Sequence, residues 1–155
     1  MAAKKLLIVV HAPSPNTQAL LNAVVIGTSE TEADGLEIVV RTPFEAGADD
    51  VIGANALILG TTENLGYMSG ALKDFFDRIY YPCLEETQGM PYALYIRARH
   101  DGTGTKRGID TIATGLRWRA VQAPLICKGD YDDAFADKCR ELGMAMVAGL
   151  DAGVF

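Results

Sequence analysis

The 155-residue sequence predicts an open α/β sandwich, in which a parallel five-stranded sheet of order 2-1-3-4-5 carries helices on both faces. Three observations lead there. Five short apolar runs recur along the chain: Leu6–Val10, Leu36–Val40, Ala56–Leu59, Tyr92–Ile96 and Val121–Cys127. They are nearly continuous rather than alternating, as parallel strands buried on both faces require. Helical patterns fill the gaps between them, and right-handed crossovers distribute those helices over the two faces of the sheet.

Taken in order, the start "MAAKKLLIVVHA" has the lysines and apolar run of a short secretory signal. Only Leu6 to Val10 and Ala12 follow the lysines as apolar residues, with His11 interrupting, so a first buried strand explains the stretch better. Leu20, Leu21, Val24 and Val25 mark a first helix that begins at about Thr17. After the second run, "FEAGADDVIGA" leaves room for one short helix. Leu72, Phe75, Phe76 and Ile79 mark the third helix, and Ile109, Ile112, Ala113 and Leu116 the fourth. Phe135, Cys139, Leu142 and Met146 mark the last. No repeat, low-complexity tract or linker interrupts this alternation, so residues 1–155 read as a single domain.

Composition narrows the function classes. With 49% apolar residues the chain can bury a full core, yet no apolar run approaches the ~18 residues of a membrane span. Cys83, Cys127 and Cys139 show neither CxxC nor metal-ligand spacing, which suits structural thiols in a reduced, cytoplasmic setting. A net charge of −6 argues against a general nucleic-acid surface.

In the order 2-1-3-4-5 the ligand crevice lies at the carboxyl ends of strands 1 and 3, where the order reverses. The loop after strand 1 is "HAPSPNTQAL". Pro13 and Pro15 stiffen it without offering amide hydrogens, while Ser14, Asn16 and Thr17 bring short polar side chains. A helix start presents free amides and a positive dipole end, which suits a phosphate. The same residues also suit a plain N-cap with no ligand. With no basic side chain in residues 11–20, backbone amides and hydroxyls would carry the anion.

The loop after strand 3 opens "GTTENLGYMSGALKDFFD", residues 60–77. Gly66, Ser69, Gly70, Leu72, Lys73 and Asp77 follow one another as a glycine, a small residue, a Gly-x-Leu-Lys helix start and an Asp one turn later. In this the stretch resembles the strand-3 loop and helix of NAD(P)H-dependent FMN reductases and flavodoxin-like quinone reductases. "HAPSPNT" is similar to that family's FMN-phosphate loop. The departures are Thr62, where many of those reductases carry Pro, and Asn64, where many carry an aromatic residue.

The resemblance implies a flavodoxin-like three-layer sandwich and an FMN-binding oxidoreductase. NAD(P)H would be a possible donor, and a quinone, flavin or similar small molecule the acceptor. The alternative is an electron-transfer carrier that docks to a redox protein, for which an acidic surface is suited. A homo-oligomer is compatible with either. The phosphate would lie on Ser14, Pro15, Asn16 and Thr17. The flat isoalloxazine would lie against Thr62, Glu63, Asn64, Leu65, Gly66, Tyr67 and Met68. Backbone amides there would meet its pyrimidine carbonyls, with Tyr67 or Met68 on its face. Gly66 would allow close backbone approach, or serve only as a turn residue. Tyr67 is the only aromatic residue of the two loops, so one flavin face would stay open.

The loop after strand 4, "IRARHDGTGTKRG", is Gly-rich and basic. In the resembling family it borders the flavin, which makes Arg97, His100 and Gly102 site candidates. Arg97, Arg99 and His100 would offset reduced-flavin charge, and Arg97, Arg99 and Lys106 would meet a nicotinamide phosphate. A solvated basic loop on an acidic protein is the alternative.

Other motifs fail on their residues. No GxxxxGK[ST] occurs, and "GTGTKRG" spaces its last glycine one residue too far for a dinucleotide fingerprint. Lys128 after strand 5 fits a response-regulator receiver, but His11-Ala12 and Thr61-Thr62 stand where that chemistry needs acids. No cysteine has an Arg six residues on, as a small tyrosine phosphatase would. His11 and His100 lack the carboxylates for a metal site, and a lone His at a strand end usually bonds locally.

Overall fold

A computed structural model of the chain describes residues 3–155. In chain order the elements are β1 (Lys4–Val10), α1 (Pro15–Glu30), β2 (Leu36–Arg41), α2 (Ala48–Ile52), β3 (Ala56–Asn64) and β4 (Tyr67–Met68). They continue with α3 (Gly70–Cys83), β5 (Pro91–Ala98), α4 (Thr103–Gly115), β6 (Arg119–Ala120), β7 (Leu125–Lys128) and α5 (Ala134–Asp151). The sheet runs β2-β1-β3-β5, and β6 and β7 both pair with the outer side of β5. All pairings are parallel except the short antiparallel return of β4 on β3.

The expected order 2-1-3-4-5 is therefore present, with its last strand in two pieces. Ala120 pairs with Tyr92 and Leu125 with Tyr95, so residues 121–124 bulge opposite the two residues 93–94. Pro124, without an amide hydrogen, cannot join a ladder there. The predicted run Val121–Cys127 thus covers the bulge and all of β7 but its last residue, Lys128.

Burial on both faces explains the unbroken apolar runs. Along β1, Leu7 and Val9 pack under α2, α3 and α4, together with Leu57, Leu59, Leu94, Leu72 and Phe75. Leu6, Ile8 and Val10 face the other way, onto α1 and α5, with Ile58, Ala93, Tyr95 and Met146. Strands of this kind alternate between two cores rather than between core and water.

The α1–α5 layer is pinned by close backbone approach. A side chain at Gly27 would collide with the Arg140 carbonyl, and one at Gly143 with the Val24 carbonyl. Each helix thus seats its glycine on the other's backbone, which draws Leu20, Val24, Leu142 and Met146 down onto the sheet. Gly27→Ala or Gly143→Ala should each lower stability by about 1–3 kcal/mol, the usual cost of overpacking a close contact. Gly70→Ala, with open space around the added carbon, should cost nothing comparable. Urea midpoints at constant m-value test this comparison.

Candidate functional site

The carboxyl ends of β1, β3, β5 and β7 meet at one rim of the sheet. At β1 the ladder continues one residue further, the His11 amide donating to the Gly60 carbonyl at 3.0 Å. The His11 Nδ1 is buried and has no hydrogen-bond partner among the described residues. Burial lowers the pKa of this imidazole from its ordinary 6.5.

Helix α1 begins at Pro15, two residues before the expected Thr17, because Ser14 is the cap. Its extended backbone leads into Pro15 at the first helical position, where a missing N–H costs nothing. The Ser14 amide donates to Thr17 Oγ1 (2.9 Å), and the Thr17 amide donates to Ser14 Oγ (3.2 Å). The two hydroxyls lie 2.8 Å apart. Ser14 thus caps α1, and the two hydroxyls bond each other within the first turn. Pro15 and Asn16 lie exposed in the first turn.

The polar loop after β3 is a hairpin. The strand runs on to Asn64, turns at Leu65 (φ 54°) and Gly66 (φ 80°), and returns through Tyr67 and Met68. Two central residues in the left-handed region make this a two-residue turn of the primed type. Gly66 is therefore required by backbone conformation, with open space around it. Leu65 holds a conformation uncommon for a branched side chain and is fully exposed.

Below the hairpin, Thr61 Oγ1 accepts from the Ser69 amide at 3.0 Å. Ser69 Oγ accepts from the Leu72 amide at 3.2 Å and so caps α3. Thr62 Oγ1 donates to Asn64 Oδ1 (2.8 Å) across the strand end. The Glu63 carboxylate spans to the next loop and accepts from the amides of His100 (3.1 Å) and Gly102 (2.9 Å). Met68, only 2% exposed, belongs to the core under α3 and α4. It is not available to cover a flavin, which corrects that part of the expectation. Tyr67 remains, 39% exposed, with its ring against Gly108 of α4.

In the third loop, Arg97 Nη1 donates to the carbonyls of Ala98 (2.9 Å) and Cys127 (3.0 Å). Its guanidinium also stands 5.2 Å from the ring centre of Phe135 and 5.9 Å from that of Tyr131. Lys106 is paired with Asp110 at 3.1 Å. Of the cations read as phosphate ligands, only Arg99 is exposed with no ion pair among the described residues. His100 contributes its amide to Glu63, its residue otherwise exposed. Gly102, at φ 71°, turns the chain into α4, where a side chain would collide with Ile126.

Sequence reasoning missed the contribution of the β7–α5 loop. Tyr131 and Phe135 stack edge to face, 5.9 Å apart, and together hold Arg97. The signal was present as "YDDAF", two aromatic residues straddling a helix start just beyond the last strand. Beneath them the Cys127 and Cys139 thiols are neighbours, and their interaction pulls the first down and pushes the second up. All three cysteines are free and buried. Among the described residues no cluster fit for a metal ion occurs, and no helix is long and apolar enough to cross a membrane.

No protein-family model matches the chain, and no curated protein matches it in sequence. Solved structures do match in shape. A flavodoxin from the domain Archaea superposes with a TM-score of 0.77 at 18% identity, over 93% of this chain and 96% of its own. Oxidised flavodoxin 1 from Bacillus cereus gives 0.77 at 20%, over 94% and 98%. A flavodoxin, WrbA-like protein from Agrobacterium tumefaciens gives 0.73 at 14%, over 98% and 99%. The fold is flavodoxin-like.

Two measurements probe the rim. Glu63→Ala should speed hydrogen exchange at the His100 and Gly102 amides on the order of tenfold to a hundredfold, the scale of a charge-assisted bond. Unchanged exchange would show that the carboxylate does not hold the two loops together. For His11, a folded pKa below 6.5 means that the unfolded chain takes up its proton first as pH falls. Stability should therefore be flat in this respect above about pH 6.5 and decline below it, until the folded-state pKa is passed. His11→Gln should remove that part of the slope in urea titrations.

Proposed function

We propose that the chain forms one flavodoxin-like domain that binds FMN at the carboxyl ends of β1, β3 and β5. The observation that carries this reading is the rim where β1 and β3 end. There the start of α1, the β3–β4 hairpin and the buried, partnerless His11 Nδ1 converge on the point of strand-order reversal. Neutral His11 offers an acceptor lone pair that a hydroxyl of the FMN side chain fits. The first-turn amides of α1 would hold the phosphate, with Ser14 and Thr17 shaping the turn rather than donating to it. The hairpin from Thr62 to Tyr67 would carry the ring.

FMN, when bound, would supply the hydride and electron chemistry. The chain's own groups would orient the ring and limit access to it. Tyr67 is the one aromatic residue of the two loops, and its ring leans on α4, so it would not form half of an aromatic sandwich. That favours a face open to a nicotinamide donor and a flat acceptor such as a quinone or flavin. We therefore read the protein as an NAD(P)H-dependent oxidoreductase acting in the cytoplasm. The carrier reading is favoured by a different observation: Arg97 and Lys106 already have partners, leaving fewer cations for a nicotinamide phosphate.

Flavin fluorescence titration should show tighter binding of FMN than of riboflavin. Equal affinity would remove the phosphate site, and binding of neither would remove the flavin reading. Mixing the FMN-loaded protein anaerobically with NADH or NADPH should bleach the flavin within seconds. No bleaching with either, but reduction by a flavodoxin reductase, would establish the carrier.

A further inference from the structure

The hairpin has a second side. Between it, α3 and α4 lies a cavity of about 420 Å³, within the usual range for small-ligand sites. Tyr67 forms one wall, its ring covering Gly108 while the Gly66 carbonyl covers Gly104, and Ile112 closes the apolar part. Lys73 enters from α3 and Arg107 from α4, and Thr111 adds a hydroxyl between them. No carboxylate lines the cavity, although the chain as a whole carries a net charge of −6.

The two cations differ in what they still need. Lys73 Nζ is bonded to Asp77 at 2.7 Å, which leaves further donors on the ammonium. Arg107 has no ion pair among the described residues, and its five N–H donors are suited to a planar, two-oxygen anion. The Thr111 hydroxyl donates to the Arg107 carbonyl at 2.9 Å, so toward the cavity it can only accept. One end of the cavity therefore favours an anion, and the part-exposed ring of Tyr67 beside Ile112 favours a flat ring.

We propose that this cavity is a binding site for a planar aromatic ring bearing an anionic arm, the ring lying along Tyr67 and the anion on Arg107 and Lys73. A quinone bearing a sulfonate or carboxylate and a nucleoside monophosphate share this chemistry. The site lies on the α3–α4 side of the hairpin, shares Gly66 and Tyr67 with the segment assigned to the flavin ring, and does not require flavin to be bound.

The test titrates the full chain, with and without added FMN, against anthraquinone-2-sulfonate and, separately, AMP, by calorimetry and by amide chemical shifts. Saturable binding of either probe is expected, with shifts at Gly66, Gly104 and Gly108. Binding of the sulfonate alone identifies a quinone-like acceptor site, and binding of AMP alone a nucleotide site. Arg107→Gln should weaken the bound probe about tenfold or more, the scale of losing a charge-assisted contact. Thr111→Phe, which fills the cavity from an exposed helix position, should abolish binding with the fold intact by circular dichroism. Arg140→Gln, on α5 across the sheet, should leave binding unchanged. The proposal is overturned by no saturable binding of either probe, by equal affinity in the Arg107 and Thr111 variants, or by shifts confined to residues 11–17.

Discussion

The carbonyl oxygen of Gly66 lies where a side chain at residue 104 would stand, and the ring of Tyr67 lies where one at residue 108 would. With α4 bare at those two turns, the β3–β4 hairpin can lie directly on helix backbone. That contact sets how far Glu63 must reach, and it reaches the amides of His100 and Gly102. The same contact turns Met68 inward to the core and leaves Tyr67 on the outside. The placement of the hairpin, the closure of the β5–α4 loop and the shape of the neighbouring cavity all follow from it.

The fold was legible because its signals are long and redundant. Both faces of β1, β3 and β5 are buried, so their sequences are apolar without a break, and the helices between them repeat at the helical period. The split of the last strand was less visible, since apolar Ala120 and Leu125 flank a bulge that only Pro124 betrays. At the rim the chemistry was legible and the conformation was not. The sequence shows Ser14 and Thr17 as short polar residues at a helix start, but not that their hydroxyls lie against each other. The hairpin escaped notice because its turn is Leu-Gly, with the glycine second and a leucine where Asn or Asp usually stands. Arg97 read as a free cation because its partners, two carbonyls and the rings of Tyr131 and Phe135, come from distant parts of the chain.

Part of the positive charge on α3 and α4 is already matched. Lys73 meets Asp77, Arg78 meets Asp74, and Lys106 meets Asp110, each at helical spacing. Exposed pairs of this kind contribute little to stability, at most about 1 kcal/mol each. Their larger effect is on where charge remains uncancelled. A paired lysine attracts an anion less than an arginine without an ion pair does, so in an acidic protein the unmatched guanidinium groups bias where an anion settles.

The split last strand has a consequence for how copies of the chain meet. A long, flat outer strand would present a row of free backbone donors and acceptors to any passing extended segment. Here that border is broken into β6, of two residues, and β7, of four, with the bulge and Pro124 between them. On the opposite border β2 carries Glu37 and Arg41. A neighbouring strand finds no continuous ladder to extend at the first border and meets charge at the second. Both borders of the sheet thus carry devices that work against edge-to-edge pairing, a broken ladder on one and charged side chains on the other.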